Sequence, residues 1–141
     1  MVTVNWQNGM VFEAVGDGGN PFTFDAYPDS GGQGKGPTPL EGFLGALAAC
    51  TAMDVISILE KKRQKVTGYR IEVDGDRTPA GSPYPRPYTA LRVRHILTGI
   101  DLDEDAVARA IQLSDEKYCS VSATLRFGPP VTSEWVVENA N

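Results

Sequence analysis

The chain has 141 residues, in which 13 lysine and arginine side chains face 18 aspartate and glutamate side chains, for a formal net charge of -5 at pH 7. This length predicts one domain over residues 1–141 that can bury a substantial core. The acidic balance argues against a nucleic-acid binder, and the N-terminus lacks the basic segment and apolar run of a signal peptide, so we expect a cytoplasmic protein.

The first part of the chain predicts an antiparallel meander of three strands. Residues 2–6 and 10–15 alternate apolar with polar side chains around an Asn8-Gly9 turn, which suits a two-residue hairpin. Residues 22–26 add a third short strand. The glycine-rich segment 27–37 contains a Gly-Lys pair but lacks the glycine and hydroxyl positions of a phosphate-binding loop, so we interpret it as a connection.

Residues 36–63 predict one long helix that is apolar on nearly every side until its last turn. Thr38 can act as the N-cap, Pro39 suits the first helical position and Glu41 completes a capping box. Asp54 and Glu60 interrupt the apolar run, so we expect a buried helix and not a membrane span. Small residues predict close packing, including packing against a second copy of the same helix; they are Gly42, Gly45, Ala46, Ala48, Ala49 and Ala52.

The remaining chain predicts two strands, a second helix and two further strands. Residues 69–74 and 88–99 alternate as strands around a proline-rich loop, and the apolar face of the second strand includes His95, which therefore faces the core. Residues 103–117 predict the second helix, and Cys119 follows its end. Residues 121–127 and 131–137 predict strands on either side of Pro129-Pro130, and residues 138–141 predict a frayed end.

The two cysteines are the first candidates for chemistry. A thiol attacks only as its thiolate, and Cys50 lies near the middle of the long helix, where the helix dipole contributes little. The residues alone therefore favour a buried structural cysteine. Cys119, on an adjoining element, nevertheless supplies the second thiol that attack and resolution require.

Three further side chains are candidates for activating or orienting Cys50. His95 is the only histidine, and it is either a hydrogen-bonded core residue or the group that polarises Cys50. Asp54 lies one turn after Cys50, where a carboxylate opposes thiolate formation unless a cation neutralises it; the alternative is a buried acid paired with an arginine or a backbone group. Glu41 is more simply a cap. A metal site from Cys50, Asp54, His95 and Cys119 lacks any Cys-x-x-Cys or His-x-His spacing, so we expect none.

Two runs, GPTPLEGFLGALAACTAMDV and LSDEKYCSV, together resemble the OsmC/Ohr family of thiol peroxidases, and especially the OsmC-like redox proteins within it. The resemblance covers essentially the whole chain. It implies an α+β fold with an antiparallel-rich sheet and a long buried central helix, in an intertwined homodimer whose two active sites lie at the interface.

The chemistry that this resemblance implies is the reduction of organic hydroperoxides, with no cofactor and no membrane. Cys50 matches the peroxidatic cysteine, which becomes a sulfenic acid, and Cys119 matches the resolving cysteine, which closes a disulfide. An external dithiol then reduces the disulfide.

The sequence departs from the family at the activating residues. The best-characterised members use an arginine from the N-terminal strands and a glutamate ten residues before the cysteine, whereas here no arginine precedes Arg63 and Leu40 occupies the glutamate position, one place before Glu41. The activating pair is therefore missing or rebuilt. The replacement candidates are Arg86, Arg92, Arg94 and His95.

Three functions remain open at this point. The first is a thiol-dependent hydroperoxide reductase, which requires a cation within reach of Cys50 and a distance between Cys50 and Cys119 short enough to close a disulfide. The second is a non-enzymatic dimer that binds a small apolar or thiol-reactive molecule. The third is a structural dimer whose cysteines have no activity.

Overall fold

The first sheet contains three antiparallel strands, as the sequence predicts. In the computed structural model, which describes residues 1–138, they are β1 (Thr3–Asn8), β2 (Val11–Val15) and β3 (Pro21–Phe24), in that order across the sheet. The first turn is displaced by one residue from the predicted Asn8-Gly9, because Asn8 pairs with Val11 and an irregularity interrupts the register between Trp6 and Asn8. Gly9 takes a φ of +51°, a conformation that glycine adopts without a side-chain clash.

A buried aspartate organises the connection between this sheet and the long helix. Asp25 is 2% exposed, and its carboxylate accepts backbone N–H groups from Ala26 at 2.8 Å, Gln33 at 2.8 Å and Lys35 at 3.1 Å. These bonds, from Gln33 and Lys35 above all, hold the pKa of Asp25 below its usual value. The loop is thereby folded back on itself before the helix begins.

The long helix α1 (Pro39–Lys61) confirms the predicted start and end closely. Thr38 accepts the Glu41 N–H at 3.3 Å and Glu41 accepts the Thr38 N–H at 3.2 Å, which is the predicted capping box. Every fourth residue along one face is buried: Leu47, Thr51, Val55 and Leu59. Glycine at position 42 lets the Phe24 ring pack directly on the helix, since a side chain there would clash with it.

The single chain buries α1 along one face and leaves the opposite face exposed. The exposed residues include Gly45, Ala46, Ala49 and Met53, and 69% of the Met53 surface is accessible to solvent. The other elements of the chain pack against the stripe that runs from Leu47 to Leu59. By length and apolar composition α1 also meets the criterion for a membrane span, which the core helices of soluble proteins meet as well.

The second sheet is a long antiparallel hairpin of β4 (Lys65–Arg77) and β5 (Tyr88–Ile100). Strand β4 is longer at both ends than the predicted 69–74, while β5 agrees with its prediction to within one residue. The hairpin packs on α1, and partly buried side chains from β4 and β5, Val66, Tyr69 and Leu97, border the core around Val55 and Leu59.

The predicted second helix is divided in two. It begins as α2 (Glu104–Leu113), capped by Asp103, and continues as one π-helical turn, Ser114–Tyr118, which we call the π turn. Ala106 and Ala110 of α2 complete the core cluster with Val55 and Leu59.

The strand predicted for residues 121–127 is a helix, α3 (Ser120–Phe127). The side chains at positions 121, 123, 125 and 127 alternate as in a strand, but the helix is capped by Cys119 at its start and by Gly128, at a φ of +59°, at its end. The strand predicted for 131–137 is also wrong, because residues 129–138 form neither helix nor strand. The frayed end predicted for residues 138–141 lies almost entirely outside the described residues. One domain over residues 1–141 stays a prediction.

Candidate thiol site

The fold brings Cys50, Asp54 and Cys119 together. Their sulfur and carboxylate atoms all lie within 4.8 Å of one another. Helix α1 supplies Cys50 and Asp54, which lie one turn apart on the same face, and the junction between the π turn and α3 supplies Cys119. Both cysteines are free thiols, so the site holds a reduced pair at short range.

The π turn fixes the position of Cys119. The Cys119 N–H donates to the Ser114 carbonyl at 2.9 Å, and the Cys119 sulfur accepts the Ser122 N–H at 3.4 Å as the N-cap of α3. Only 2% of Cys119 is exposed, whereas Cys50 is partly exposed. A single π turn inside a helix is rare and occurs frequently at functional sites.

A chain of buried hydroxyl groups holds Asp54. Ser114 donates to the Asp54 carboxylate at 2.9 Å, and the Thr51 and Ser114 hydroxyl oxygens are 2.9 Å apart. Because Ser114 has one hydroxyl hydrogen and gives it to the carboxylate, Thr51 must donate to Ser114. Among residues 1–138, Asp54 forms no ion pair. The sequence offered an arginine or a backbone group as its partner, whereas the structure gives it a hydroxyl group.

The electrostatic environment keeps Cys119 protonated. Burial raises the pKa of the Cys119 thiol, the neighbouring Cys50 and Asp54 raise it further, and the Ser122 N–H partly opposes them. Of the two thiols, Cys119 is therefore the less suited to attack a substrate first.

His95 faces the interior, as predicted, but it is not a member of the cluster of Cys50, Asp54 and Cys119. Its Nδ1 lies 2.7 Å from the Tyr69 hydroxyl, and burial lowers the pKa of His95 while raising the pKa of Tyr69 to about 12. The imidazole is thus neutral at pH 7 and shares one hydrogen bond with the tyrosine hydroxyl. His95 lines a cavity of about 340 Å³ that also contacts Thr51, Asp115 and Arg126.

The other predicted activating residues have partners elsewhere. Glu41 caps α1 and accepts the Tyr27 hydroxyl. The Arg94 side chain is 78% exposed and pairs with Glu72 at 3.7 Å. Arg92 forms two hydrogen bonds to Asp76, at 2.9 and 3.0 Å, and Arg86 donates to the Thr78 carbonyl at 2.8 Å. Of the candidate activating residues, the structure therefore brings only Asp54 to the two cysteines. The side chains of Glu41, Arg86, Arg92 and Arg94 make their contacts elsewhere.

Sequence reasoning missed Thr51 and Ser114, which hold Asp54, and Arg126, which lines the His95 cavity. The available signal was a hydroxyl side chain on an apolar helix stripe, which Ser114 and Thr51 both show. Arg126 was hidden by the wrong strand assignment; in α3 it donates to the Asp115 carbonyl at 2.6 Å and lines the His95 cavity.

A larger apolar cavity, of about 680 Å³, lies at the start of α1. Its lining includes Leu40 and Phe43 from α1, Leu91 from β5 and Leu125 from α3. Leu91 and Arg126 line both cavities, so the two are adjacent. The Arg126 side chain is therefore shared by the polar lining of the smaller cavity and the apolar lining of the larger one.

Comparison with known proteins gives consistent results. Residues 32–134 match a protein family described as OsmC-like protein. Protein YhfA of Escherichia coli strain K12 is 37% identical over 134 residues, which cover 95% of each chain. A crystal structure of a hypothetical protein from Aquifex aeolicus is similar with a TM-score of 0.74 and 30% identity, over 89% of this chain and 86% of that one.

A more distant structure shares the fold alone. It is an organic hydroperoxide resistance protein from Legionella pneumophila, with a TM-score of 0.61 and 15% identity over 89% of this chain and 88% of that one. The α+β fold predicted from the sequence is confirmed by these structures and by the two antiparallel sheets and long helix described above.

Proposed function

Because the chain belongs to the OsmC-like protein family, we propose that it is a thiol-dependent reductase of organic hydroperoxides that acts through Cys50 and Cys119. The observation that carries the proposal is the placement of two free thiols within 4.8 Å of each other on separate elements. The hydroperoxide substrate is suggested by the name of the Legionella protein of the same fold.

The reaction divides into three balanced steps. The Cys50 thiolate attacks one peroxide oxygen, the O–O bond breaks, and the alcohol leaves with a proton, so that Cys50 becomes a sulfenic acid. The Cys119 thiol then attacks the Cys50 sulfur, a disulfide forms and water leaves. An external dithiol reduces the disulfide through a mixed disulfide and is itself oxidised to a disulfide.

The different environments of the two thiols support this order. Cys50 is partly exposed, whereas Cys119 is buried and burial holds the pKa of its thiol above the usual value. A buried, protonated thiol is unsuited to first attack but can resolve a neighbouring sulfenic acid. Asp54 lies beside both sulfurs and is held by Ser114; because a carboxylate there opposes thiolate formation, the proposal also requires a cation near Cys50.

The apolar cavity at the start of α1, which neither cysteine lines, favours an organic substrate over hydrogen peroxide. It is lined by Leu40, Phe43, Leu91 and Leu125 and can bury a hydrocarbon group of the size of a cumyl moiety. Burying apolar area contributes roughly 25 cal/mol per Å², an energy that a small, fully polar peroxide does not gain.

A homodimer fits the exposed face of α1. Gly45, Ala46, Ala49 and Met53 form an apolar stripe that nothing in the single chain covers within residues 1–138. Packing of this stripe against its copy would bring a second chain close to Cys50, and the cation that activates Cys50 would then come from the partner or from Arg126.

The cytoplasm is the compartment that would supply a dithiol and keep the thiols reduced.

The test is the rate of thiol loss after mixing the reduced protein with cumene hydroperoxide. We expect thiols to disappear much faster than for free cysteine, with a product lighter by two hydrogen atoms per chain. Cys50→Ser should abolish the reaction, and Cys119→Ser should leave a sulfenic acid that dimedone traps. A rate equal to that of free cysteine would refute the proposal.

A second candidate function is non-enzymatic binding of a small apolar or thiol-reactive molecule. It is favoured by the apolar cavity of about 680 Å³ and by the lack of an ion pair at Asp54 within the described residues. Native mass spectrometry of freshly purified protein would show a bound molecule or a Cys50 adduct. Rapid peroxide turnover by ligand-free protein would reject this alternative.

A further inference from the structure

The cluster of Cys50, Asp54 and Cys119 has the donor set of a metal site as well as that of a redox pair. Two sulfur atoms and one carboxylate oxygen lie within 4.8 Å of one another. Around a tetrahedral zinc ion, with bonds of about 2.3 Å to sulfur and about 2.1 Å to oxygen, donor atoms are about 3.6–3.8 Å apart. Side-chain rotations that move the donor atoms by about 1 Å would therefore bring all three to bonding distance of one zinc ion.

We propose that the reduced chain binds one zinc ion through the Cys50 sulfur, the Cys119 sulfur and an Asp54 oxygen, with a fourth position open to water. The proposal does not depend on peroxidase activity. It departs from the sequence-based expectation of no metal, which rested on the missing Cys-x-x-Cys and His-x-His spacings.

The arrangement of the donors supports zinc. Cys50 and Asp54 lie at positions i and i+4 of one helix, and Cys119 comes from a second element, so three donors converge without a local sequence motif. Sulfur donors select thiophilic ions such as zinc over magnesium and calcium, which prefer oxygen. Three protein ligands with one open position are typical of zinc sites that exchange a bound water.

The charge around the site supports a cation. Among residues 1–138 no lysine or arginine pairs with the Asp54 carboxylate. Binding of the ion replaces the proton of each protonated thiol, which passes to the buffer, and leaves a net charge of −1 at the site.

The outer contacts of the ligands are already in place. Ser114 donates to Asp54 at 2.9 Å and Thr51 donates to Ser114, so the carboxylate is oriented from behind. The Ser122 N–H holds the Cys119 sulfur at 3.4 Å. Such outer contacts orient metal ligands, and their loss typically lowers metal affinity roughly 10–100-fold.

A bound ion would change the redox chemistry of the pair. Each sulfur would use its lone pair for the metal, so neither could attack a peroxide or the other sulfur freely. Zinc would thus protect the reduced pair and inhibit disulfide formation.

The experiment measures zinc binding by the reduced full-length protein in competition with a chromophoric chelator. We expect one zinc ion per chain, and with cadmium a sulfur-to-metal charge-transfer band. Asp54→Asn should lower the affinity at least about tenfold, and Ser114→Ala roughly 10–100-fold. Cys50→Ser and Cys119→Ser should each remove the cadmium band or weaken it strongly.

The matched control is His95→Gln, because His95 belongs to the metal set considered from sequence but not to the cluster. Its affinity for zinc should equal that of the unaltered protein. Circular dichroism checks that each variant is folded. Zinc lost to the chelator without a measurable bound state, or an affinity unchanged by Asp54→Asn, would overturn the proposal while leaving the peroxide assay unaffected.

Discussion

Ser114 and Asp54, which lie 60 positions apart in the chain, are joined by a partly buried hydrogen bond of 2.9 Å between hydroxyl and carboxylate. This bond ties the π turn to the middle of α1, the two places from which the cysteines come. The stability of the fold and the geometry of the thiol pair are therefore linked at one contact.

The first prediction concerns this contact. Ser114→Ala should reduce the free energy of unfolding by about 1–3 kcal/mol, because it leaves Asp54 and Thr51 without a buried partner. In the double variant Thr51→Val, Ser114→Ala, the loss of unfolding free energy should be smaller than the sum of the losses in the two single variants, since the two side chains share one hydrogen bond. Urea unfolding of the reduced protein measures both.

The control is Ser120→Ala, at an exposed position one residue after Cys119. It should change the free energy of unfolding by less than about 0.5 kcal/mol. Equal effects of the two serine changes would show that the hydroxyl chain does not stabilise the fold.

The second prediction concerns pH and His95. Burial lowers the pKa of His95 in the folded protein, so the unfolded chain binds the proton more readily. This contribution to stability is complete above about pH 6.5, the value of an unperturbed histidine, and it is lost as the pH falls toward the folded pKa. Asp115 opposes the shift, and the Tyr69 hydroxyl is hydrogen-bonded to the ring.

His95→Gln should remove this pH dependence, because glutamine can still accept the Tyr69 hydrogen but does not titrate. Urea midpoints between pH 5 and 8 measure the effect, and the single histidine gives an isolated NMR titration. A folded pKa at or above the unperturbed value would contradict the prediction.

The third prediction concerns Asp25. Backbone N–H groups hold the pKa of Asp25 below its usual value, so this group stabilises the fold above about pH 4 and loses that effect as the pH falls through the folded pKa. Asp25→Asn should lower the melting temperature at pH 7, and the difference from the unaltered protein should shrink in acid. Asp29→Asn, on the exposed part of the same loop, should leave the melting temperature unchanged both at pH 7 and in acid.

The fourth prediction concerns the exposed stripe of α1. Met53→Lys should weaken self-association roughly tenfold or more, because an interface that buries an unpaired charge loses more than about 1.4 kcal/mol. Sedimentation at several concentrations measures it. Tyr84→Lys, at a residue that is 84% exposed in the loop between β4 and β5, is the matched control. A protein that is monomeric before either change would remove the basis for the proposed homodimer.

The elements with strong local signals could be predicted from the sequence. The capping box at Thr38 and Glu41 fixes the start of α1, and the alternating pattern fixes most of the two hairpins. Residues 121–127 could not be assigned in this way. Their alternation is typical of a strand, but the decisive groups are the caps at Cys119 and Gly128.

The site was predictable only in part. Asp54 follows from its place one turn after Cys50, and the family resemblance implies the role of Cys119. The contact between Ser114 and Asp54 depends on how α2 and the π turn lie against α1, which no local pattern records. The sequence also does not indicate which face of α1 is exposed in the single chain, since both faces are apolar.

The π turn also determines which way one sulfur points. An α-helix turns by about 100° per residue, and a π turn accommodates one residue more than an α turn between bonded groups. Deleting one residue from Ser114–Tyr118 would restore the regular helical phase and rotate position 119 by about that angle. The spacing between the cysteines would then change by a single residue, yet the two thiols would no longer face each other.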